Sequence, residues 1–140
     1  MINFNYESDF QLERIEQLSD WISNSITEEK RKEGDIDYIF CSDDYLHKIN
    51  LDFLDHDTLT DIISFDYSVG KELHGEIYIS VDRVRENAAE YSVFFEDELA
   101  RVMIHGILHF VGYKDKTEED EKTMRSKEDY YLANREKFRE

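Results

Sequence analysis

The sequence predicts an α+β fold, in which strands and helices follow one another in irregular order around a mixed sheet. Three observations support this prediction: segments with the two-residue period of strands, segments with the three- to four-residue period of helices, and no regular alternation between them. The 140 residues include no proline and five glycines. Since no linker or repeat divides them, we expect one domain over residues 1–140.

Four segments have the alternation, or the β-branched and aromatic content, that is typical of strands. In the first, Ile2, Phe4 and Tyr6 alternate with polar residues, and in the last, Ile77 and Ile79 share one face. The predicted strands cover residues 2–6, 35–41, 60–67 and 75–80.

Helical spacing of apolar residues predicts the remaining elements. Serine and threonine hydroxyls can cap helix starts, and glycine readily ends a helix, so these residues set the expected boundaries. The predicted helices cover residues 11–32 (ended by Gly34), 43–51 (capped by Ser42), 82–90 (capped by Ser80), 92–111 (opened by Ser92 and ended by Gly112) and 117 to the C-terminus, the last being charged and solvent-facing. Residues 99–111 are apolar on most sides, which predicts an interior helix.

The composition limits the function classes. There are 34 acidic and 17 basic residues, for a net charge of −17, which disfavours a basic nucleic-acid surface and polybasic membrane adhesion. The 40% hydrophobic content argues against disorder. The single Cys41 excludes an internal disulfide and predicts a small buried side chain. No signal-peptide features or membrane-length apolar segment are found, so we expect a cytoplasmic protein without a membrane partner.

Residues 105–115 contain the side chains best suited to a metal-binding or catalytic role. His105 and His109 are four residues apart, so they project from one helix face at neighbouring turns and can share one metal ion. Gly112 would reverse the chain, and Asp115 could then complete a His-His-Asp site. Zinc is the first choice, with nickel, iron or manganese as alternatives. Three protein ligands leave a coordination position for water, which indicates a catalytic site.

Two alternatives bear on this interpretation. Histidines at this spacing also arise by chance in ordinary helices, where core imidazoles simply find hydrogen-bond partners. In the helical zinc-peptidase motif a glutamate follows the first histidine and acts as the base. Here Gly106 stands at that position, so a peptidase of that type is disfavoured.

These residues resemble the YbeY family of metal-dependent endoribonucleases implicated in ribosomal RNA maturation. Its signature, His-Gly-x-Leu-His-x-x-Gly with a third ligand three residues on, matches residues 105–112 fully. The resemblance extends over about residues 40–130 and includes Ile49-Asn50-Leu51, Asp57 with Thr60-Asp61-Ile62-Ile63-Ser64-Phe65, and Gly75-Glu76-Ile77. It implies a zincin-like α+β domain, with a four-stranded mixed sheet packed on a buried metal-bearing helix, and His105, His109 and Asp115 as zinc ligands.

The chain departs from the family pattern at two positions. The third ligand is commonly histidine in the family, whereas Asp115 stands here, and a carboxylate also binds zinc. The family usually has an arginine suited to phosphate where this chain has Leu54, and His56 follows two residues later. His56 is therefore a candidate catalytic residue. Ser64 and Arg101 are candidate substrate-binding residues, although Arg101 could instead pair with Glu96, Asp97 or Glu98.

The predicted function is a single-strand-specific endoribonuclease in ribosomal RNA processing and ribosome quality control, with ribosomal RNA precursor and a ribosome-associated protein as partners and no role for DNA. No general base stands out; His56, Asp66 and a metal-activated hydroxide are all open. One alternative is a metal-stabilised ribosome-assembly factor with little nuclease activity. Another is hydrolysis of an amide or a small substrate. Because the acidic segments are mainly 7–29, 96–98 and 118–140, we expect most of the negative charge to lie away from the cleft.

Overall fold

The four alternating segments form one mixed sheet. The computed structural model describes residues 1–54 and 60–138, with the side chains of residues 53 and 54 also left aside. The strand order is β1-β2-β4-β3; β1, β2 and β4 run parallel, and β3 pairs antiparallel with β4. The strands are β1 (Ile2–Glu7), β2 (Lys32–Cys41), β3 (Ile62–Asp66) and β4 (Glu72–Ser80). The predicted α+β class and mixed sheet are confirmed.

Within the described residues five α-helices pack around the sheet, and hydroxyl groups cap three of them: at Ser42 and Ser80, as predicted, and at Thr117. Ser42 Oγ accepts from the Tyr45 amide at 3.1 Å, Ser80 Oγ accepts from Arg83 at 3.1 Å, and Thr117 Oγ1 accepts from Asp120 at 3.0 Å. Each hydroxyl satisfies an amide of the first helical turn. The helices are α1 (Ile15–Glu28), α2 (Asp43–Leu54), α3 (Val81–Glu90), α4 (Phe95–Val111) and α5 (Glu118–Asn134), followed by a 3-10 turn (Arg135–Phe138).

The prediction that Gly34 ends the first helix is wrong. Helix α1 stops at Glu28, and Lys30 turns the chain with a φ of 61°. Gly34 lies inside β2, where a β-carbon would collide with the Leu73 carbonyl and the His74 ring. Glycine is needed there because two strands approach closely, and helical periodicity alone cannot detect that requirement.

Ser92 closes a helix rather than opening one. Its φ is 56°, its amide donates to Ala89 O at 3.3 Å, and the next amide, of Val93, donates to Ala88 O at 3.0 Å. These bonds satisfy carbonyls at the end of α3, so α4 begins later than predicted, at Phe95.

The main core lies between the sheet and α4. The Tyr38 hydroxyl on β2 donates to the Met103 carbonyl of α4 at 2.9 Å, and both side chains are buried. Residues 99–111 therefore form the predicted interior helix. Cys41 is fully buried, as expected.

Helix α5 is not wholly solvent-facing as predicted, because Met124, Glu128 and Tyr131 are buried. It packs against α4, and the Trp21 indole of α1 donates to the Tyr131 carbonyl at 2.8 Å. This packing carries Glu128 toward the polar face of α4. Among the described residues, no helix has the length and apolar character to cross a bilayer.

Candidate metal centre and its cleft

The two histidines of α4 come together as their spacing predicts. Their ring centroids are 4.5 Å apart, and the two Nε2 atoms are 2.9 Å apart. Asp115 Oδ2 lies 3.4 Å from Nε2 of His105 and 3.3 Å from Nε2 of His109. Within the described part of the chain, these three residues form the one group of at least three His, Cys, Asp or Glu side chains that could hold a metal ion.

The second nitrogen of each ring is already engaged. His105 Nδ1 lies 2.7 Å from Glu128 Oε2, and His109 Nδ1 lies 3.0 Å from the Tyr113 carbonyl. A carbonyl and an ionised carboxylate only accept, so Nδ1 is the donor in both rings. In the neutral tautomers that follow, both Nε2 atoms present lone pairs beside the Asp115 carboxylate. A metal ion satisfies all three acceptors at once, and a carboxylate or carbonyl on the far ring nitrogen is the usual support for a metal-binding histidine.

The dimensions of the cluster fit a metal of zinc size. A point equidistant from atoms 2.9, 3.3 and 3.4 Å apart lies about 1.9 Å from each, close to the Zn–N and Zn–O distances of about 2.0–2.2 Å. All three side chains are partly exposed, so an ion held by them would be open to solvent.

The turn that carries Asp115 is anchored at several points. Gly112 ends α4 with a φ of 122°, and the Tyr113 amide donates back to Leu108 O at 3.0 Å. The Tyr113 hydroxyl donates to Glu29 Oε1 at 2.8 Å, and Lys127 reaches Glu29 Oε2 at 3.2 Å. Burial alone would raise the pKa of Glu29, but hydrogen bonds from Tyr131, Tyr113 and Lys127 lower it. Glu29 thus stabilises the turn after α4 that places the Asp115 carboxylate beside the two histidines.

Gly106 faces the sheet. A β-carbon there would come within 2.8 Å of Ile77 Cδ1 and 3.3 Å of Ile62 Cδ1. The glycine between the histidines therefore lets α4 approach β3 and β4 closely, in addition to excluding a glutamate base at this position.

A cleft of about 410 Å³ opens in front of the three candidate ligands. Two further carboxyl groups line it, Asp61 and Glu98, and burial raises the pKa of both. Glu98 is 7% exposed and, like His105, lies on the polar face of α4. Carboxyl groups with raised pKa values beside a metal cluster are candidates for proton transfer.

Glu128 joins the cluster to Arg101. Burial opposes ionisation of Glu128, but its hydrogen bonds with His105 and Arg101 outweigh this and lower its pKa. Burial likewise opposes protonation of His105, yet the hydrogen bond and charge of Glu128, helped by Asp115, raise its pKa. Glu128 therefore remains an anion that orients His105.

The two candidate substrate residues line the cleft, although their roles remain predictions. Ser64 lies on β3 beside Ile62. Arg101 binds Glu128 Oε1 at 2.8 Å and Asp129 Oδ1 at 2.7 Å, and so pairs with α5 and not with Glu96, Asp97 or Glu98, the alternative partners that the sequence offered. The nearby helix α5 offers better-placed carboxylates.

The remaining sequence candidates are His56 and Asp66. His56 lies outside the described residues, as does the side chain of Leu54 at the family's arginine position. Asp66 is exposed at the end of β3, where it accepts from the Ser68 amide at 2.9 Å, and it is not among the residues that line the cleft.

The expected distribution of charge is partly wrong. Glu98 and Glu128 belong to segments predicted to lie mainly away from the cleft, yet both line it. The described lining has four carboxylates, Asp61, Glu98, Asp115 and Glu128, and two guanidinium groups, Arg101 and Arg125. These six side chains come from the segment before β3, from α4, from the turn after α4 and from α5. Only the folded chain brings them together.

Sequence reasoning missed Glu29, Glu98, Glu128 and Tyr91, which also lines the cleft. Glu98 could have been found, since it precedes His105 by seven residues and so shares its helix face. Glu29 and Glu128 reach the site across 84 and 23 residues. No local pattern signals contacts of that separation.

The fold and site define a class: an α+β protein with a candidate His-His-Asp metal centre in a cleft between a helix and a mixed sheet. Comparison with known proteins agrees with the motif. The family model described as Endoribonuclease YbeY matches residues 1–136, and the chain belongs to this family.

Two relatives named Endoribonuclease YbeY cover nearly the same length. The protein of Flavobacterium johnsoniae is 58% identical over 133 residues, which are 95% of this chain and 96% of the relative. That of Flavobacterium psychrophilum is 60% identical over 132 residues, 94% of each. A solution structure from Thermotoga maritima, 30% identical, superposes with a TM-score of 0.72 over 96% of this chain and 89% of its own.

Proposed function

We propose that this chain is a metal-dependent, single-strand-specific endoribonuclease that acts in ribosomal RNA processing and ribosome quality control. The observation that carries the proposal is the convergence of His105 Nε2, His109 Nε2 and Asp115 Oδ2 within 3.4 Å of one another in a chain of the YbeY family. By this proposal residues 1–140 form one zincin-like hydrolase domain with α4 as its metal helix. An enzyme of ribosomal RNA maturation works in the cytoplasm and meets the ribosome or a ribosome-associated protein there.

The three residues would hold one divalent ion, with zinc preferred for two imidazoles and a carboxylate. When bound, such an ion polarises a phosphoryl oxygen and lowers the pKa of a water molecule toward neutrality. Glu128 fixes the tautomer of His105, and the Tyr113 carbonyl does the same for His109. With Nδ1 as the donor in each ring, the Nε2 atoms of the neutral tautomers are the ones left to bind an ion.

The proton from the attacking water needs an acceptor within the cleft. Asp61 and Glu98 are the candidates, because burial raises the pKa of each and so favours taking up a proton. Both lie among the cleft-lining residues with His105. Replacing either by its amide keeps its size and removes this capacity.

The test compares His109→Ala with the native chain for bound zinc and for cleavage of single-stranded RNA. We expect the variant to lose the metal and to cleave at the background rate measured without protein, because one of three ligands is gone. The matched control is His74→Ala, since His74 binds Glu72 and the Asp35 amide at the far end of the sheet. Cleavage retained by His109→Ala without metal would overturn the proposal.

The alternative, a metal-stabilised ribosome-assembly factor with little nuclease activity, is favoured by one observation. The carboxylates that line the cleft outnumber the guanidinium groups, and Arg101 is already paired. Docking to a protein through apolar surface would be nearly independent of salt, whereas RNA held by phosphate contacts would be released steeply as salt rises. Ribosome binding at increasing salt, measured beside RNA cleavage, separates the two functions.

A further inference from the structure

An exposed aromatic side chain forms part of the cleft wall. Tyr91 follows the last residue of α3, and its amide donates to Asn87 O at 2.9 Å. Its side chain lines the cleft together with Asn87, His105 and His109, yet it is 59% exposed. The ring therefore borders the cleft while much of its surface remains available to a ligand.

The same turn continues this apolar surface. Val93 and Phe94 follow Tyr91 after the intervening Ser92, and Phe94 is the most exposed large hydrophobic side chain of the described residues, at 79%. An aromatic side chain gains nothing in folding energy from such exposure. A run of exposed apolar side chains that begins at the cleft indicates a contact surface.

The charges of the cleft limit how RNA can be held there. Arg101 already donates to Glu128 and Asp129. Arg125, on α5, is exposed and has no ion pair within the described ranges, so among the described residues that line this cleft it is the cation available to a phosphate. A backbone surrounded by Asp61, Glu98, Asp115 and Glu128 gains little from one guanidinium group. Affinity has to come from contacts that do not depend on charge.

We propose that Tyr91 is a stacking platform for an unpaired nucleobase, which places the adjoining phosphate between Arg125 and the candidate metal ligands. This inference rests on the proposed RNA substrate and identifies the part of the RNA that the cleft recognises. Stacking on an aromatic ring is open to any base and is insensitive to the net charge of −17. Bases in a duplex are stacked on one another and cannot reach the ring, which explains a requirement for single strands.

Tyr91 follows α3 and Arg125 lies on α5, and both line the cleft together with His105 and His109 of α4. A base stacked on Tyr91 would therefore have its phosphate in the same cleft as the candidate metal ligands. Asn87, one helical turn before Tyr91, also lines this cleft and would meet the edge of the base.

The test measures binding of two five-nucleotide oligoribonucleotides to the full chain in EDTA, which prevents turnover. One oligonucleotide carries bases and the other is abasic throughout, so both have the same phosphates. Stacking predicts that the native chain binds the base-containing oligonucleotide more tightly. Tyr91→Ala should weaken that binding by about five- to fiftyfold and leave abasic binding unchanged, whereas Tyr91→Phe should retain the preference.

Tyr130→Ala is the matched control, because Tyr130 is a comparably exposed tyrosine on α5 whose hydroxyl binds Glu28 away from the cleft. It should bind both oligonucleotides as the native chain does. Equal affinity of the native chain for the two oligonucleotides would overturn the proposal, as would unchanged binding in Tyr91→Ala. Because the readout is binding, a chain that stacks bases but never cleaves RNA would contradict the proposed activity and leave the stacking site standing.

Discussion

Two cavities of about 410 Å³ each flank helix α4, and they differ in what lines them. The cleft contains both histidines and four carboxylates. The second cavity lies against another face of α4, and its described lining has no histidine: half of the residues are apolar, and the others include carboxylates and arginines. The apolar group includes Phe10, Leu18, Phe95, Leu99, Met103 and Phe138. The two cavities therefore have the same volume but different side chains in their walls.

The comparison teaches that histidines lying beside carboxylates, more than the size of a cavity, mark the chemical site. On the cleft side, α4 uses His105 and His109 to meet Asp115 and Glu128. On the other side, it uses Met103 and Leu99 to close the core. One face of α4 therefore packs in the core, and another carries the candidate metal ligands. Substitutions on the first face should lower stability, and substitutions on the second should lower zinc binding.

The largest expected effect on stability comes from Met103→Ala. Met103 is fully buried, and removal of a buried methionine side chain costs about 2–5 kcal/mol of unfolding free energy. Denaturant unfolding should show this loss, while zinc bound per folded chain stays at the native value because the candidate ligands lie on another face of α4. Met103→Ala protein that bound clearly less zinc per folded chain would contradict the separation of the two faces.

Glu128→Gln tests the cleft side with a smaller effect. The amide keeps the shape of the side chain but removes the charge that orients His105, so we expect zinc affinity to fall about 10- to 100-fold. Competition with a chelator of known affinity measures this change. Asp129→Asn is the matched control, because Asp129 touches Arg101 and has no contact with His105. Equal affinities in both variants would show that Glu128 contributes nothing beyond its contact with Arg101.

Local patterns predicted the elements and the cluster because their determinants are close in sequence. His105, His109, Gly112 and Asp115 lie within eleven residues, and helical geometry with one turn brings them together. The caps at Ser42, Ser80 and Thr117 are equally local. The prediction that Ser92 opens a helix was wrong because it also used only local sequence. A hydroxyl residue between two helices can end the first as well as begin the second.

The supporting contacts could not be predicted because they depend on packing between distant elements. Glu29 reaches Tyr113 only once α1 lies beside the turn after α4, and Glu128 reaches His105 only through the packing of α5. The same holds for Arg101, which pairs with Glu128 and Asp129 of α5 and not with the acidic residues of its own helix. The packing of α5 brings Glu128 into the cleft, so the cleft has more negative charge than the sequence predicted.

Zinc content tests the central claim, that the polar face of α4 and Asp115 form one metal centre. Native chain, Asp115→Ala and the control Glu119→Ala are loaded with zinc, desalted and measured by elemental analysis; Glu119 is exposed and lies outside the lining of the cleft. We predict one zinc per chain in the native protein and in Glu119→Ala, and a small fraction of that in Asp115→Ala. Equal zinc in all three proteins, or none in the native chain, would contradict the account.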